Sequence, residues 1–298
     1  VMTIDRLGGS IVAIPTPFKN NGELDLETFD RLVDWHLEQG TDAFVVCGTT
    51  GETPTLTEEE DAIMIERAVK RVNGKVLVIA GTGSNSTKEC VTYSTRAVNH
   101  GADALLVVAP YYNKPTDKGL RLHFSTVAET VKAPVILYNV PGRTGSCINP
   151  KTAAWLGENY DNIIGIKEAA GNLAVFADLL ALCPEGFKIL SGDDFLAPSA
   201  NFLGAHGCIS VVANVIPRDF HLLMKASIEG NLEESRRLFF RYKRLMELLF
   251  IESNPIPVKT ALAMMGKIGS ALRLPLCPME EHNEAMLREE LKNLGLVK

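Results

Sequence analysis

The sequence lacks several features that mark whole classes of proteins. No apolar run reaches the ~18 residues that a membrane-spanning helix needs, and the first residues show no apolar signal-peptide core. Basic residues are fewer than acidic ones, 30 against 36, and the two signs are well mixed. Nucleic-acid binding would need a basic face. We therefore expect a cytoplasmic protein with neither a membrane nor a nucleic acid as a partner.

Metal and disulfide patterns are also missing. The six cysteines include no C-x-x-C pair, and the six histidines show no H-E-x-x-H spacing, so a zinc site is not expected. Several cysteines lie in apolar runs, where a small buried thiol is the ordinary interpretation. The sequence predicts reduced, structural cysteines and no metal.

Short apolar runs alternate with longer amphipathic stretches along the 298 residues. The predicted strands are 10–14, 43–47, 76–80, 104–109, 135–138, 163–167, 188–190 and 208–212. Helical patterns lie between them. One begins at Thr57, which would cap it, and runs to residue 72; another covers residues 86–100 and ends before Gly101. Because the strands are apolar throughout, both of their faces should be covered. Eight βα units predict an α/β fold, a (β/α)8 TIM barrel.

No strand pattern follows Gly230. Three helical patterns, 232–251, 257–265 and 279–294, predict a helical extension that packs on the barrel. We expect a catalytic barrel over residues 1–230 and a C-terminal three-helix extension over residues 231–298.

Lys167 is the most informative residue. It ends the apolar run 163–167, and burial favours a neutral lysine amine, which can attack a ketone to form a Schiff base. Tyr138 ends another apolar run, and neighbouring parallel strands would place its phenol roughly 5 Å from the amine. A lysine at a strand end is often paired with an acid, but the adjacent Glu168 should point to the opposite side of the strand. The pattern predicts imine chemistry at the barrel mouth.

Two other strand ends carry groups suited to carboxylates. Thr49 and Thr50 lie in a glycine-flanked turn after the second strand, which can aim N–H groups at an anion, although an ordinary βα turn has the same composition. Arg143 follows the fifth strand, and its rigid fork suits a carboxylate, although a solvated loop arginine is the alternative.

Tyrosines and aspartates follow two more strands. Tyr111 and Tyr112 come after the fourth strand, where they are functional groups or interface anchors. Asp193 and Asp194 follow the seventh strand and most simply cap the next helix. The acidic residues there disfavour a phosphate site.

Taken jointly, four motifs make the chain resemble the dihydrodipicolinate synthase family, also called 4-hydroxy-tetrahydrodipicolinate synthase. This family belongs to the pyruvate-dependent class I aldolases, the superfamily of N-acetylneuraminate lyase. The motifs are Gly48-Thr-Thr-Gly-Glu52, Tyr138-Asn-Val-Pro-Gly-Arg143, Ile166-Lys-Glu168 and Ser191-Gly-Asp-Asp194, and Asn254-Pro-Ile-Pro-Val-Lys259 also fits. The resemblance covers nearly the whole chain, and the arginine at position 143 favours the synthase over the lyase branch.

The resemblance implies a lyase of lysine and diaminopimelate biosynthesis. It would condense pyruvate with L-aspartate 4-semialdehyde to give 4-hydroxy-tetrahydrodipicolinate, with a covalent pyruvate imine and no separate cofactor. Lys167 would form the imine. Tyr138 would carry protons, relayed through Thr50 to Tyr112 of a neighbouring subunit.

The resemblance also implies the binding contacts. Thr49 and Thr50 would hold the pyruvate carboxylate, and Arg143 would bind the carboxylate of the aldehyde substrate. The backbone at Gly192 and the carbonyl of Ile209 would complete the pocket.

Regulation and assembly follow from the same resemblance. Many members are inhibited by lysine at a cleft between subunits, and a homotetramer built as a pair of dimers is the common form. Glu58 and Asp61 stand where some regulated bacterial members have histidines. The candidate effector residues here are Thr53, Asn85, Glu89 and Tyr111.

Two alternatives stay open at this point. One is another pyruvate-imine aldolase acting on a sugar acid or a hydroxy-oxo acid, because shared chemistry does not fix the acceptor. The other is a catalytically silent ligand-binding barrel, against which the presence of Lys167, Tyr138, Thr50 and Arg143 counts.

Overall fold

Eight parallel strands close into a barrel in the computed structural model, which describes residues 4–298. Neighbouring strands follow the order of the chain, and the last strand pairs with the first. The strands are β1 Gly9–Ala13, β2 Ala43–Val46, β3 Leu77–Gly81, β4 Ala104–Val108, β5 Val135–Asn139, β6 Ile163–Glu168, β7 Lys188–Ser191 and β8 Gly207–Ser210. The predicted (β/α)8 TIM barrel is confirmed.

Helices surround the strands and continue after them. In the described residues they are α1 Leu26–Gln39, α2 Glu58–Val72, α3 Thr87–Asn99, α4 Asp117–Thr130, α5 Pro141–Thr144, α6 Pro150–Asn159, α7 Leu173–Leu182, α8 Ala197–Leu203, α9 Pro217–Ile228, α10 Leu232–Leu248, α11 Ile256–Met264 and α12 Glu281–Asn293. The predicted cap of α2 is confirmed, because Thr57 and Glu60 form a reciprocal capping box.

Apolar side chains fill two layers, as the apolar strands predict. One cluster lies inside the barrel and includes Ile11, Val45, Ile79, Ile136 and Ile209. A larger cluster lies between the strands and the outer helices. Both faces of the strands are therefore buried, which is why they lack polar alternation.

The end of β8 differs from the sequence prediction. The apolar run continues to Val212, but the strand ends at Ser210 and Val212–Asn214 forms a short 3-10 helix. The Asp194 carboxylate accepts hydrogen bonds from the N–H groups of Val211, at 3.2 Å, and Val212, at 2.8 Å. These bonds turn the chain out of the sheet.

The C-terminal extension consists of α10, α11 and α12, as predicted. Helix α10 packs on α9, and α12 packs on α10 and α11. Helix α10 ends at Leu248 rather than at residue 251, because the N–H groups of Phe250 and Ile251 bond to carbonyls three residues back. Helix α12 begins at Glu281 rather than at 279. The division of the chain at residue 230 stays a prediction.

All six cysteines are free thiols. Cys47, Cys90 and Cys208 are buried, and Cys147 and Cys277 are exposed. Of the helices in residues 4–298, none combines the length and the apolar character that a membrane span requires.

Candidate active site

A cavity of about 480 Å³ opens at the C-terminal ends of the strands. The ends of β5 and β6, the turn after β2 and the first turn after β7 contribute to its wall. Helix α10 and the segment after it close one side with Met246, Glu247, Phe250 and Asn254. In a TIM barrel this is the end at which active sites form.

Lys167 lies inside this cavity with 7% of its surface exposed. It pairs in register with Tyr138 of β5, and its Nζ atom lies 4.1 Å from the centre of the Tyr138 ring. Within residues 4–298, four other lysines form salt bridges with acidic residues and Lys167 does not. No carboxylate therefore holds this amine. The predicted neighbouring position of the amine and the phenol is confirmed.

Glu168 lies on the other side of β6, as its position in the strand predicts. Its carboxylate accepts hydrogen bonds from Asn139 Nδ2 at 2.8 Å and from the Ala170 N–H at 2.6 Å. Burial raises the pKa of Glu168, while these two hydrogen bonds oppose that effect. Glu168 therefore fixes the ends of β5 and β6 and leaves Lys167 unpaired.

The turn after β2 brings Thr49 and Thr50 to the cavity wall. Thr50 is 2% exposed, and its Oγ1 atom accepts a hydrogen bond from Asn254 Nδ2 at 3.0 Å. Because the Thr50 oxygen accepts this bond, its own proton is free to point at another acceptor. This arrangement suits a hydroxyl that passes a proton or binds a carboxylate.

Arg143 also lines the cavity, from α5 directly after β5. Its Nη2 atom donates to the backbone carbonyl of Asn254 at 3.2 Å. This bond ties the loop after β5 to the C-terminal extension and places a guanidinium at the cavity rim. A carboxylate that enters the cavity would meet this group.

The loop after β7 places Gly192 against the reactive lysine. A Cβ atom at Gly192 would lie only 2.8 Å from Lys167 Cε and from Ala169 Cβ, so a larger residue there would force this part of the wall to shift. Asp193 accepts from the N–H groups of Phe195 and Leu196 in the turn before α8. Helix α8 itself begins at Ala197 without a side-chain cap, so the predicted helix cap by Asp193 is wrong.

Asp194 does not cap that helix, contrary to the prediction. It is 2% exposed and bonds to the chain after β8 instead. Burial raises the pKa of Asp194, and its bonds to β8 and the residues after it oppose that effect. In the described residues no group of three or more histidine, cysteine or acidic side chains could hold a metal ion.

Two predicted site residues are not in the cavity wall of the single chain. Tyr112 lies in the loop after β4 with 89% of its surface exposed, a backbone φ of 72° and an N–H that donates to the Thr144 carbonyl. Ile209 is 1% exposed in the barrel interior, in register with Ile11. The roles of both residues stay predictions.

The candidate effector residues follow three successive strands: Thr53 begins a short 3-10 helix after β2, Asn85 and Glu89 lie before α3 and in its first turn, and Tyr111 lies after β4. Thr53 Oγ1 bonds to Asp61 at 3.4 Å, and Glu89 accepts from Ser84 Oγ at 2.8 Å. The Asn85 carbonyl accepts from Asn113 Nδ2, and Tyr111 is 40% exposed.

Sequence reasoning assigned no role to Asn254. Asn254 touches both Thr50 and Arg143, and its Oδ1 atom is buried without a hydrogen-bond partner within residues 4–298. Met246 and Glu247 reach the cavity from the end of α10 and Phe250 from the segment after it, which the sequence presents only as an amphipathic helix. The signals available for Asn254 were its place just before Pro255 and the fit of residues 254–259 to the family pattern.

Comparisons with known proteins point to one family. The family model described as "Dihydrodipicolinate synthetase family" matches residues 6–294. A curated relative from Thermodesulfovibrio yellowstonii, named 4-hydroxy-tetrahydrodipicolinate synthase, is 49% identical over 290 residues, which cover 97% of this chain and 99% of the relative.

Solved structures agree. The chloride-inhibited dihydrodipicolinate synthase of Acinetobacter baumannii, complexed with pyruvate, is 43% identical with a TM-score of 0.96, and the match covers 98% of this chain and 100% of that one. The enzyme of Cyanidioschyzon merolae with lysine bound is 38% identical with a TM-score of 0.95, and the match covers 98% and 99% of the two chains.

Proposed function

The chain belongs to the dihydrodipicolinate synthetase family, and we propose how the side chains at its barrel mouth perform the reaction of that family. The chain is a lyase that condenses pyruvate with L-aspartate 4-semialdehyde through a lysine Schiff base. The product is 4-hydroxy-tetrahydrodipicolinate, in lysine and diaminopimelate biosynthesis. The single observation that supports the residue assignment most strongly is Lys167, unpaired within the described residues and 4.1 Å from the Tyr138 ring centre.

Lys167 attacks the ketone carbon of pyruvate. Nζ bonds to that carbon, the ketone oxygen leaves as water, and a protonated imine remains. The imine withdraws electrons, so the methyl group loses a proton and an enamine forms. The enamine carbon attacks the aldehyde, and the amine of the second substrate then closes the ring and displaces Lys167. The covalent imine is the electron sink, which is why the reaction needs no separate cofactor.

Tyr138, Thr50 and Tyr112 move the protons of these steps. Tyr138 lies beside the amine, and the Thr50 proton is free to point into the cavity because its oxygen accepts from Asn254. General acid–base catalysis of this kind typically contributes about 10²–10⁴-fold to the rate. The hydroxyl of Tyr112 completes the relay from a second subunit.

The two carboxylates bind on different walls. Thr49 and Thr50 hold the pyruvate carboxylate, with the Gly192 backbone and the Ile209 carbonyl completing this end of the pocket. Arg143 binds the carboxylate of aspartate semialdehyde. Holding both substrates against one amine lowers the entropic barrier, by about 7–11 kcal/mol in the best oriented cases.

Turnover of two acceptors tests the substrate assignment. The purified chain is assayed with pyruvate plus L-aspartate 4-semialdehyde and, separately, for cleavage of N-acetylneuraminate. We expect turnover of the first only. Faster cleavage of the sugar acid would overturn the assignment and favour another pyruvate-dependent aldolase.

The oligomer is a homotetramer of two tight dimers. This is supported by the exposure of Tyr112, 89%, and Tyr111, 40%, at one loop, since large exposed aromatics mark interfaces. Subunit mixing tests it: Lys167→Ala and Tyr112→Phe chains, each weakly active, should regain activity together because a mixed dimer contains one complete site. If Tyr112 serves its own subunit, mixing restores nothing.

L-Lysine binds at the cleft formed by Thr53, Asn85, Glu89 and Tyr111 and inhibits the enzyme. Glu89 offers a carboxylate to an ammonium group, and the relative from Cyanidioschyzon merolae was solved with lysine bound. Glu89→Gln should raise the lysine concentration needed for half inhibition. An uninhibited wild-type enzyme would remove this assignment.

The enzyme works in the cytoplasm. The free state of all six cysteines supports a reducing compartment. Fractionation of the source cells, with an antibody to the chain, should recover it with cytoplasmic markers; recovery with membranes or secreted proteins would contradict this placement.

A further inference from the structure

The turn after β2 is held in an unfavourable backbone conformation. Cys47 and Glu52 flank it with φ values of 55° and 56°, in the left-handed region that favours glycine. Non-glycine residues persist there only where their surroundings hold them, often at functional sites. The contacts that hold this turn are therefore of functional interest.

Glu52 and Lys259 form a buried ion pair behind the turn. Their side chains are 1% and 0% exposed. Lys259 Nζ donates to Glu52 Oε1 and, at 3.0 Å, to the Thr16 carbonyl, and it lies 4.4 Å from the centre of the Phe18 ring. Glu52 Oε2 accepts from the backbone N–H of Arg273 at 3.1 Å. The turn is thus bonded to two points of the C-terminal extension.

Arg273 is itself firmly anchored. Its guanidinium bonds to the Glu60 carboxylate and to the carbonyls of Gly22 and Thr55. The Arg273 side chain therefore holds in place the backbone N–H of the same residue, which bonds to Glu52.

Stability alone does not explain a buried pair of this kind. Burial lowers the pKa of Lys259, and the Glu52 carboxylate only partly offsets that effect. Apolar residues of similar volume are often as stabilising as a buried ion pair. An ion pair differs in being directional, because its hydrogen bonds fix the positions of both partners.

The route from this pair to the cavity is short. Glu52 follows Thr50 by two residues, and Thr16 Oγ1 donates to the carbonyl of the intervening Gly51 at 2.7 Å. Thr16 thus contacts the turn through its side chain and Lys259 through its backbone. A shift of the Lys259 amine would reach Thr50 through these contacts.

We propose that Lys259 is a positioning residue for pyruvate, which acts through Glu52 to hold Thr49 and Thr50 in the geometry that binds the pyruvate carboxylate. The inference rests on the proposed function, because it takes the turn after β2 as the pyruvate-binding element. Lys259 then sets pyruvate affinity from behind the active site, since it is not part of the cavity wall.

Three variants test the proposal: Glu52→Gln, Lys259→Met and the double variant. For each, borohydride trapping is measured against pyruvate concentration, and KM and kcat are measured for both substrates. We expect either single variant to raise the KM for pyruvate roughly tenfold, with kcat at saturating pyruvate nearly unchanged, as for loss of uniform binding. The KM for aspartate semialdehyde should change little.

The double variant distinguishes the loss of the directed hydrogen bond from the destabilising effect of an unpaired buried charge. It leaves no unpaired buried charge, so thermal stability should recover, but the pyruvate KM should stay raised because the directed bond is still missing. Arg67→Met is the matched control, since it breaks the ion pair with Asp30 between α1 and α2 and should leave both KM values unchanged.

The failing outcomes are distinct. A folded Glu52→Gln enzyme with wild-type pyruvate affinity would overturn the positioning role, as would a double variant that restores both stability and affinity. Glu52→Gln keeps its size and one acceptor, so it tests the role even if Lys259→Met fails to fold. If the chain forms no pyruvate imine, pyruvate does not trap the wild-type enzyme at all, and if only the acceptor is wrong, trapping persists without turnover of aspartate semialdehyde.

Discussion

Gly192→Ala should disable the enzyme by displacing the reactive lysine. A Cβ atom at position 192 would lie 2.8 Å from Lys167 Cε, 3.2 Å from Lys167 Cγ and 2.8 Å from Ala169 Cβ. Ordinary contacts between carbon atoms are about 3.5–4.0 Å, so the lysine chain must retreat by roughly 1 Å. Misplacement of a reacting group by about 1 Å can cost ~10²-fold. We expect kcat/KM for pyruvate to fall about 100-fold.

The assay must separate this displacement from unfolding. Over-packing typically costs about 1–3 kcal/mol, so the variant should stay folded at 25 °C, which thermal unfolding checks. Gly142→Ala is the matched control, because its added Cβ would meet nothing within 4 Å at the same end of the barrel. A folded Gly192→Ala enzyme with wild-type kcat/KM and wild-type trapping would refute the reasoning.

Three further predictions concern single side chains. Lys167→Ala should lower turnover by at least roughly 10⁴-fold, as loss of a covalent nucleophile does elsewhere, without unfolding the barrel; comparable rates would remove the imine assignment. Arg143→Ala should lower kcat/KM for aspartate semialdehyde by about 10- to 100-fold, because a charged hydrogen bond contributes about 1.5–3 kcal/mol; an unchanged value would contradict its role. Burial raises the pKa of Asp61 from 3.8 to about 6, so the folded state holds this proton more tightly than the unfolded state, and the free energy of unfolding falls as pH rises between those values. Asp61→Asn should therefore stabilise the protein at pH 7, by on the order of 2 kcal/mol, and unchanged urea midpoints at that pH would count against the shift.

The barrel could be predicted because its signals are local. Each strand is a short apolar run between turn residues, and both faces of the sheet are covered, so the runs are easy to separate from helices. The position of Lys167 beside Tyr138 followed from the same reasoning, since parallel neighbours in register place their ends together. The alternation of side chains also placed Glu168 on the far side.

The contacts that could not be predicted join distant parts of the chain. Asn254 reaches Thr50 across 204 residues, and Lys259 reaches Glu52 across 207. Each of these residues has an ordinary local pattern, in a turn or a short helix, so only the fold reveals its partner. The Asp194 carboxylate, in the loop after β7, ends β8 by accepting a hydrogen bond from the Val212 N–H. The apolar run continues past this point, so the sequence predicted too long a strand.

Mass spectrometry of the pyruvate-trapped enzyme tests the central claim most directly. The wild-type chain is incubated with pyruvate and borohydride, digested with trypsin and mapped. We expect the peptide of residues 152–188 to gain the mass of one pyruvate minus one water plus two hydrogens. Trypsin should leave this peptide uncut at Lys167, because the modified lysine is no longer a cleavage site. No added mass, or an adduct on another lysine that persists in Lys167→Ala, would contradict the account.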